Sequence, residues 1–254
     1  MSESKFLNDT AKTASDTEAV FAVIVVAAGS GSRLGRGIPK AAVEVAGKTL
    51  LQWALEGVIA AGIASRVVVT VPAGDTVLRQ VCDRFGALAV EGGATRSESV
   101  TAALSVLNEA PLQTGFSESP ATSVLVHDAA RCFTPVSSFK NVAEALVAGE
   151  KAVIPVVPVV DTIKSVDVKQ VVTGTPARSE LRAVQTPQGF DLATLLDAYS
   201  DLSSLSPEEA EAVTDDAMLI ETLGMRVLTV AGHADAFKVT TPLDLVLAQA
   251  LYEH

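Results

Sequence analysis

The densest chemistry in the chain lies between residues 22 and 40. An apolar run, Val23-Ile24-Val25-Val26, passes directly into Ala27-Ala28-Gly29-Ser30-Gly31-Ser32-Arg33-Leu34-Gly35 and on to Pro39-Lys40. Small residues placed straight after a strand let backbone N–H groups approach phosphate oxygens closely. Arg33 and Lys40 share this loop, so both can converge on a triphosphate held by its amides. Two other phosphate-loop patterns fit less well. A dinucleotide-binding fingerprint needs glycine where Leu34 stands and a helix starting at once, whereas Pro39 and further glycines prolong this loop. A P-loop needs glycine in place of Ala42, so Gly47-Lys48 reads as a turn ahead of a helix.

A second cluster, Val126-His127-Asp128-Ala129-Ala130-Arg131, closes a strand, the end at which open α/β sheets place their ligands. His127 beside an aspartate invites an acid–base role. Alternation along a strand sends the two side chains to opposite faces, however, and makes His127 structural and Arg131 a residue that orders the loop. Asp215 and Asp216 have two readings, as site carboxylates or as first-turn charges of a helix capped by Thr214.

The elements that must position these residues follow an alternating pattern. Strands are expected at 22–27, 67–71, 87–91, 123–127, 152–157 and 226–230, and helices at 49–61, 76–85, 97–107, 137–147, 192–199, 215–223 and 242–252. Strand–helix alternation is the signature of βαβ units on a parallel sheet, hence an α/β fold. Pro155 and Pro158 argue for a sheet edge or an exit from the sheet. The pattern lapses at 163–184, where short β-prone pieces, 163–168 and 170–173, are polar on both faces and cannot bury much alone. That segment is expected to be a β-hairpin arm used for dimerisation.

Composition fits this plan. In 254 residues, 48% are hydrophobic but only 4% aromatic, so the core must be built from small and β-branched aliphatics, enough for one domain over 21–254. A formal charge of −11 disfavours nucleic acid as a partner, and no apolar run reaches the ~18 residues of a membrane span. Residues 1–20 read as a disordered leader, and Cys82 and Cys132 show no zinc or disulfide spacing, so a cytoplasmic protein is expected.

Four further groups complete the set: Gly92-Gly93-Ala94-Thr95-Arg96-Ser97-Glu98-Ser99-Val100, Asp161-Thr162-Ile163-Lys164 with Arg178, Gln185-Thr186-Pro187-Gln188, and Thr214-Asp215-Asp216-Ala217. With the loop and the His127-Asp128 strand, in this order, they give a chain that over about residues 22–252 resembles the 2-C-methyl-D-erythritol 4-phosphate cytidylyltransferases. The resemblance implies a Rossmann-like three-layer nucleotidyltransferase fold, with a mostly parallel twisted sheet and a protruding β-arm, assembled as a homodimer. It implies CTP as co-substrate and magnesium as cofactor. Ala27, Ala28, Gly29, Gly31, Gly93, Arg96, Ser99, Asp128 and Ala129 would surround the nucleotide, with Ala27, Ala28, Gly93 and Ser99 forming a slot narrow enough to select a pyrimidine. Asp128 would serve the ribose or the metal. Thr162, Thr186, Thr214 and Arg178 would bind the acceptor's phosphate and hydroxyls, Arg178 from the neighbouring subunit's arm. One segment departs from the family: Ala236-Phe237 precede Lys238-Val239-Thr240 where Asn-Ile is common, so an asparagine's role at 236 has no holder unless Asp235 supplies it.

The implied reaction is in-line attack of the acceptor phosphate on the α-phosphorus of CTP. It needs no protein nucleophile, only positioning and charge neutralisation. Arg33 and Lys40 would stabilise the five-coordinate phosphorus and departing pyrophosphate, and Arg178 and Lys238 would position the incoming phosphate. Ribitol 5-phosphate is an alternative acceptor. A non-catalytic nucleotide-binding module is a second alternative, disfavoured by the loop cations and the acceptor-side threonines.

Overall fold

The computed structural model describes residues 19–31, 34–35, 37–108, 120–202, 213 and 215–252. Arg33, Thr214, most of the expected leader and the acidic segment 203–212 lie outside these residues.

Strand β1 (Phe21–Val26) runs through the middle of the sheet, parallel to β4 (Ala64–Val71) on one side and to β6 (Ser123–Asp128) on the other. Its alternation is apolar on both faces: Ala22 and Ile24 enter one buried cluster, Val23 and Val25 the other. That is what a strand covered by helices on both sides requires. β5 (Leu88–Glu91) extends the sheet beyond β4 in parallel. Past β6 comes β11 (Gln188–Asp191), antiparallel both to β6 and to β7 (Ala152–Pro158). β7 also pairs with β10 (Arg182–Val184), antiparallel, and on its other edge with β12 (Leu228–Ala231), parallel. Six strands therefore share one direction and β10 and β11 oppose it, giving a mostly parallel sheet.

Among the described residues, seven helices cover it. α1 (Leu50–Ala61), α2 (Thr76–Arg84), α4 (Val136–Val147) and α7 (Pro242–Tyr252) bury Leu51, Leu78, Phe139 and Leu245 on one face. α3 (Arg96–Asn108), α5 (Leu192–Leu202) and α6 (Asp216–Thr222) bury Leu104, Leu195 and Ile220 on the other. Each such side chain contributes about 1.5–3 kcal/mol on leaving water. Local chemistry sets the helix starts. Thr49 and Gln52 exchange side-chain-to-backbone hydrogen bonds at the head of α1, and Thr95 and Glu98 do the same one residue before α3, not at Ser97 as expected.

Two short strands, β2 (Glu44–Val45) and β3 (Lys48–Thr49), make a hairpin whose turn holds Ala46 and Gly47 at positive φ, in keeping with the turn read at Gly47. Pro158 ends β7 where the chain leaves the sheet, but Pro155 lies in a strand flanked on both edges, its carbonyl accepting from the Gln185 N–H at 2.8 Å. The excursion carries β8 (Ser165–Val166) and β9 (Val172–Gly174), paired only with each other. Val160 and Val168 are 79% and 98% exposed there, too much for a lone hairpin to bury itself. Among the described residues no helix is long and apolar enough to cross a membrane.

Candidate active site

The strand ends converge on a cavity of about 260 Å³. Ala27, Ala28 and Gly29 approach it from the end of β1, Gly93 from the β5–α3 turn, Arg96 and Ser99 from the first turn of α3, and Asp128 and Ala129 from the end of β6; Lys40 and Lys238 also line it. Of the residues expected around the nucleotide, Gly31 alone is not in this wall. Its φ of +70° and the 2.9 Å that a Cβ would leave to the Lys40 nitrogen show its part, which is to let the loop fold onto Lys40. The Lys40 N–H closes the loop on the Gly29 carbonyl at 3.1 Å. Gly92 has a similar reason: a Cβ there would meet the Ala28 Cβ at 2.4 Å and the Ser99 Oγ at 2.8 Å. The slot between Ala28 and Ser99 is as narrow as it is because nothing larger than glycine fits behind it. Ser99 gives its own proton to the Thr95 carbonyl at 2.9 Å, leaving its oxygen as an acceptor.

Asp128 forms the wall between this cavity and a second one of about 180 Å³ lined by Arg131, Gln185, Thr186, Gln188 and Asp215; Arg96 and Lys238 border both. One carboxylate oxygen faces Arg96 Nε at 3.3 Å, the other Lys238 Nζ at 2.7 Å. Burial by itself would raise this carboxyl, but Arg96 and then Lys238 outweigh it and hold it well below the ordinary carboxylate range. Arg96 in turn donates to Asp216 at 2.7 Å, and the fully buried Asp216 also accepts from the Tyr199 hydroxyl. Burial would lower the guanidinium's pKa, yet Asp216 and Asp128 lift it above its usual value. Burial, with Asp216 beside it, pushes the Tyr199 phenol far up.

His127 is fully buried and tilted against Phe139, with ring centroids 5.0 Å apart, as strand alternation requires. Burial pushes its pKa down to about 4, so at neutral pH the ring is uncharged. The Thr186 hydroxyl accepts from the Asp128 N–H at 3.1 Å and lies 3.0 Å from His127 Nδ1. Which of the two donates in that second contact depends on the imidazole tautomer. Thr186 lines the second cavity, and its hydroxyl also holds the Asp128 N–H. Arg131 donates to the Ala236 and Val184 carbonyls at 2.7 and 2.9 Å, the loop-ordering role expected of it.

Some expected residues stand elsewhere. Thr162 is exposed on the arm, and Arg178 donates to the Val160 carbonyl at 2.8 Å beside a separate open cleft of about 510 Å³. Neither meets Asp128 within one chain. Asp215 is itself the N-cap of α6, accepting from the Met218 N–H at 3.0 Å, and also lines the second cavity, while Asp216 in the first turn pairs with Arg96 and lines neither. Ala236 is buried, and Asp235 faces His233 at 3.6 Å and is not in either cavity's wall. Sequence reasoning missed Tyr199 altogether, since an aromatic inside an amphipathic helix reads as core.

Residues 21–254 match the model of the family described as IspD, 2-C-methyl-D-erythritol 4-phosphate cytidylyltransferase. The chain belongs to that family. It is thus a cytidylyltransferase, a nucleotidyltransferase enzyme that works with CTP in isoprenoid biosynthesis. Relatives of the same name include those of Rhodococcus jostii (strain RHA1), 48% identical over 91% of this chain and 94% of that one, and Nocardia farcinica (strain IFM 10152), 44% identical over 94% and 96%. Among solved structures, the 4-diphosphocytidyl-2C-methyl-D-erythritol synthase of Anaerococcus prevotii DSM 20548 superposes with a TM-score of 0.78 at 26% identity, covering 93% of this chain and 99% of that one. The 2-C-methyl-D-erythritol 4-phosphate cytidylyltransferase of Thermus thermophilus gives 0.69 at 36%, covering 90% and 97%.

Proposed function

We propose that the larger cavity holds CTP, that the smaller one holds 2-C-methyl-D-erythritol 4-phosphate, and that the transfer takes place across Asp128. The observation that carries this division is the placing of Asp128 between the cavities, with Arg96 on one oxygen and Lys238 on the other. An acceptor phosphate oxygen bonds to the α-phosphorus as the bond to the bridging oxygen of the β-phosphate breaks, and pyrophosphate departs. Lys40, with Arg33 in the same loop, neutralises the charge on the leaving group. Lys238 turns from Asp128 to the incoming phosphate and offsets the repulsion between the two anions.

This exchange leaves the Asp128 carboxylate open to a divalent cation. Among the described residues no three His, Cys, Asp or Glu side chains gather as a metal cage. A single carboxylate suits magnesium, which takes one or two carboxylates together with phosphate oxygens and water, and does not suit zinc. Bound there, magnesium would supply charge neutralisation on the triphosphate.

Arg178 and Thr162 serve the acceptor cavity of a second subunit in a homodimer built on the arm. The exposed arm valines and the absence of either residue from the walls of the two cavities around Asp128 support this pairing. Sedimentation of a variant lacking the hairpin tests it: the dimer mass halves, and an unchanged mass overturns the assignment. Two buried free thiols suit a reducing cytoplasm.

Pyrophosphate release from CTP and magnesium, measured with methylerythritol phosphate or with ribitol 5-phosphate, tests the acceptor. Release with the first and not the second is expected, and the reverse refutes the reading. Lys40→Ala should lower kcat by about a hundredfold or more with the melting temperature unchanged. Near-normal turnover would remove Lys40 from its assigned role.

A further inference from the structure

Lys238 reaches the site on a segment without strand or regular α-helix of its own. Its two neighbours face away from the cavity: Val239 is fully buried in the apolar cluster under the sheet and Phe237 packs against the same cluster. The lysine between them therefore projects the opposite way, onto Asp128. Two hydrogen bonds pin the backbone, from Arg131 to the Ala236 carbonyl at 2.7 Å and from the Val239 N–H to the Ala130 carbonyl at 2.8 Å.

A third support is aromatic. The Phe237 ring is stacked with Phe133, centroids 6.0 Å apart and planes 28° from parallel. Phe133 lies almost flat on Tyr252 at 3.8 Å and 6°, in the last turn of α7, and Trp53 of α1 tilts against both. Phe133 follows the turn that leaves Asp128, and Phe237 immediately precedes Lys238. The stack thus joins the backbones that carry the two partners of the 2.7 Å ion pair.

We infer that Phe237, Phe133 and Tyr252 form a clamp that sets Lys238 against Asp128 and the incoming phosphate, which makes Phe237 and Tyr252 positioning residues for the transfer. The inference rests on the role proposed above for Lys238. Displacing a positioning group by about 1 Å can cost a hundredfold in rate, so loosening a support distant from the chemistry registers in turnover.

The test is a double-mutant cycle in kcat/KM with CTP and methylerythritol phosphate, with melting temperatures read alongside. Tyr252→Ala should lower kcat/KM by about tenfold in the wild-type background and less than about twofold when Lys238→Gln is already present, because the ring acts through the lysine. Tyr252→Phe, which keeps the stack, should stay within about twofold of wild type. Should Tyr252→Ala fail to fold, Phe237→Leu enters the same cycle, with a smaller loss and the same dependence on Lys238. Equal losses in both backgrounds would overturn the clamp and leave the rings a purely structural part. Normal activity of Lys238→Gln alone would remove the lysine's role and the clamp with it, an outcome distinct from the first.

Discussion

Asp216→Asn keeps the shape of a buried side chain and removes its charge. In the native protein that charge sits 2.7 Å from Arg96 Nη2 with no exposure of its own, and the Tyr199 hydroxyl donates to its other oxygen. Coulomb's law at an effective dielectric of about 20 gives roughly 6 kcal/mol of direct attraction at that distance. Much of it offsets the desolvation of the two ions. Removing one partner of a fully buried pair typically costs about 3–5 kcal/mol, because the other is left uncompensated. Arg96 is not fully stranded: a quarter of its side chain is exposed and Asp128 still faces its Nε at 3.3 Å. The expected loss is therefore smaller, about 2–3 kcal/mol. It should appear as a lower urea midpoint with an unchanged slope. Because Arg96 lines the cavity proposed for CTP, the KM for CTP should rise with it. Tyr199→Phe should cost about 1 kcal/mol, a single hydrogen bond with both charges kept. A midpoint for Asp216→Asn within about 0.5 kcal/mol of wild type would refute the account, since the pair would then be contributing almost nothing net.

Two more outcomes follow from the geometry. His127, held near 4 by burial, binds its proton less readily folded than unfolded, so its contribution is complete above about pH 6.5 and is lost as pH falls from 6.5 to 4, by roughly 3 kcal/mol. The lowered carboxyls of Asp128, Asp191 and Asp244 lose their contribution as pH falls through the ordinary carboxylate range, so the difference between wild type and His127→Gln in urea titrations between pH 6.5 and 4.5 reports the histidine; a wild-type slope that persists in His127→Gln would contradict this. Gly92→Ala must push Ala28 and Ser99 apart, and isothermal titration should show CTP binding weakened about tenfold or more with a loss of about 1–3 kcal/mol in stability; unaltered binding would mean that the slot is not where the base sits.

Much of the larger cavity's wall was legible because it is local. Strand β1, its glycine loop and the Asp128 strand end each announce themselves within about ten residues, and the loop's small residues have no other use as good as close approach. The pairing of β11 was not legible. Gln188–Asp191 is four residues long and includes Gly189, where a Cβ would lie 2.3 Å from Val142 of α4, so the glycine that looks like a strand breaker is the cost of a helix packed tightly on the sheet. Nor was the Arg96–Asp216–Tyr199 network, whose ion pair joins residues 120 positions apart and whose tyrosine is periodic with its helix's apolar face. Thr186 was read only as a ligand-binding hydroxyl; that its oxygen also accepts from the Asp128 N–H and meets His127 Nδ1 was not legible. Spacing identifies such groups but does not reveal where their lone pairs are spent.

The reversed strand at the centre of the sheet also orders events during synthesis. β1, β4, β5 and β6 are complete once residue 128 has been made, yet the neighbour that closes β6, strand β11, emerges some sixty residues later, after the whole arm. Until then the growing chain presents Val124, Leu125 and Val126 along an unpaired edge, the kind of template on which other chains add. Insertion of β11 seals that edge, and the same stretch of chain brings Thr186 onto the Asp128 N–H. Closure of that edge and the fixing of the Asp128 backbone are therefore one event, and a chain stalled before residue 188 would lack both, with β12 and Lys238 still to come.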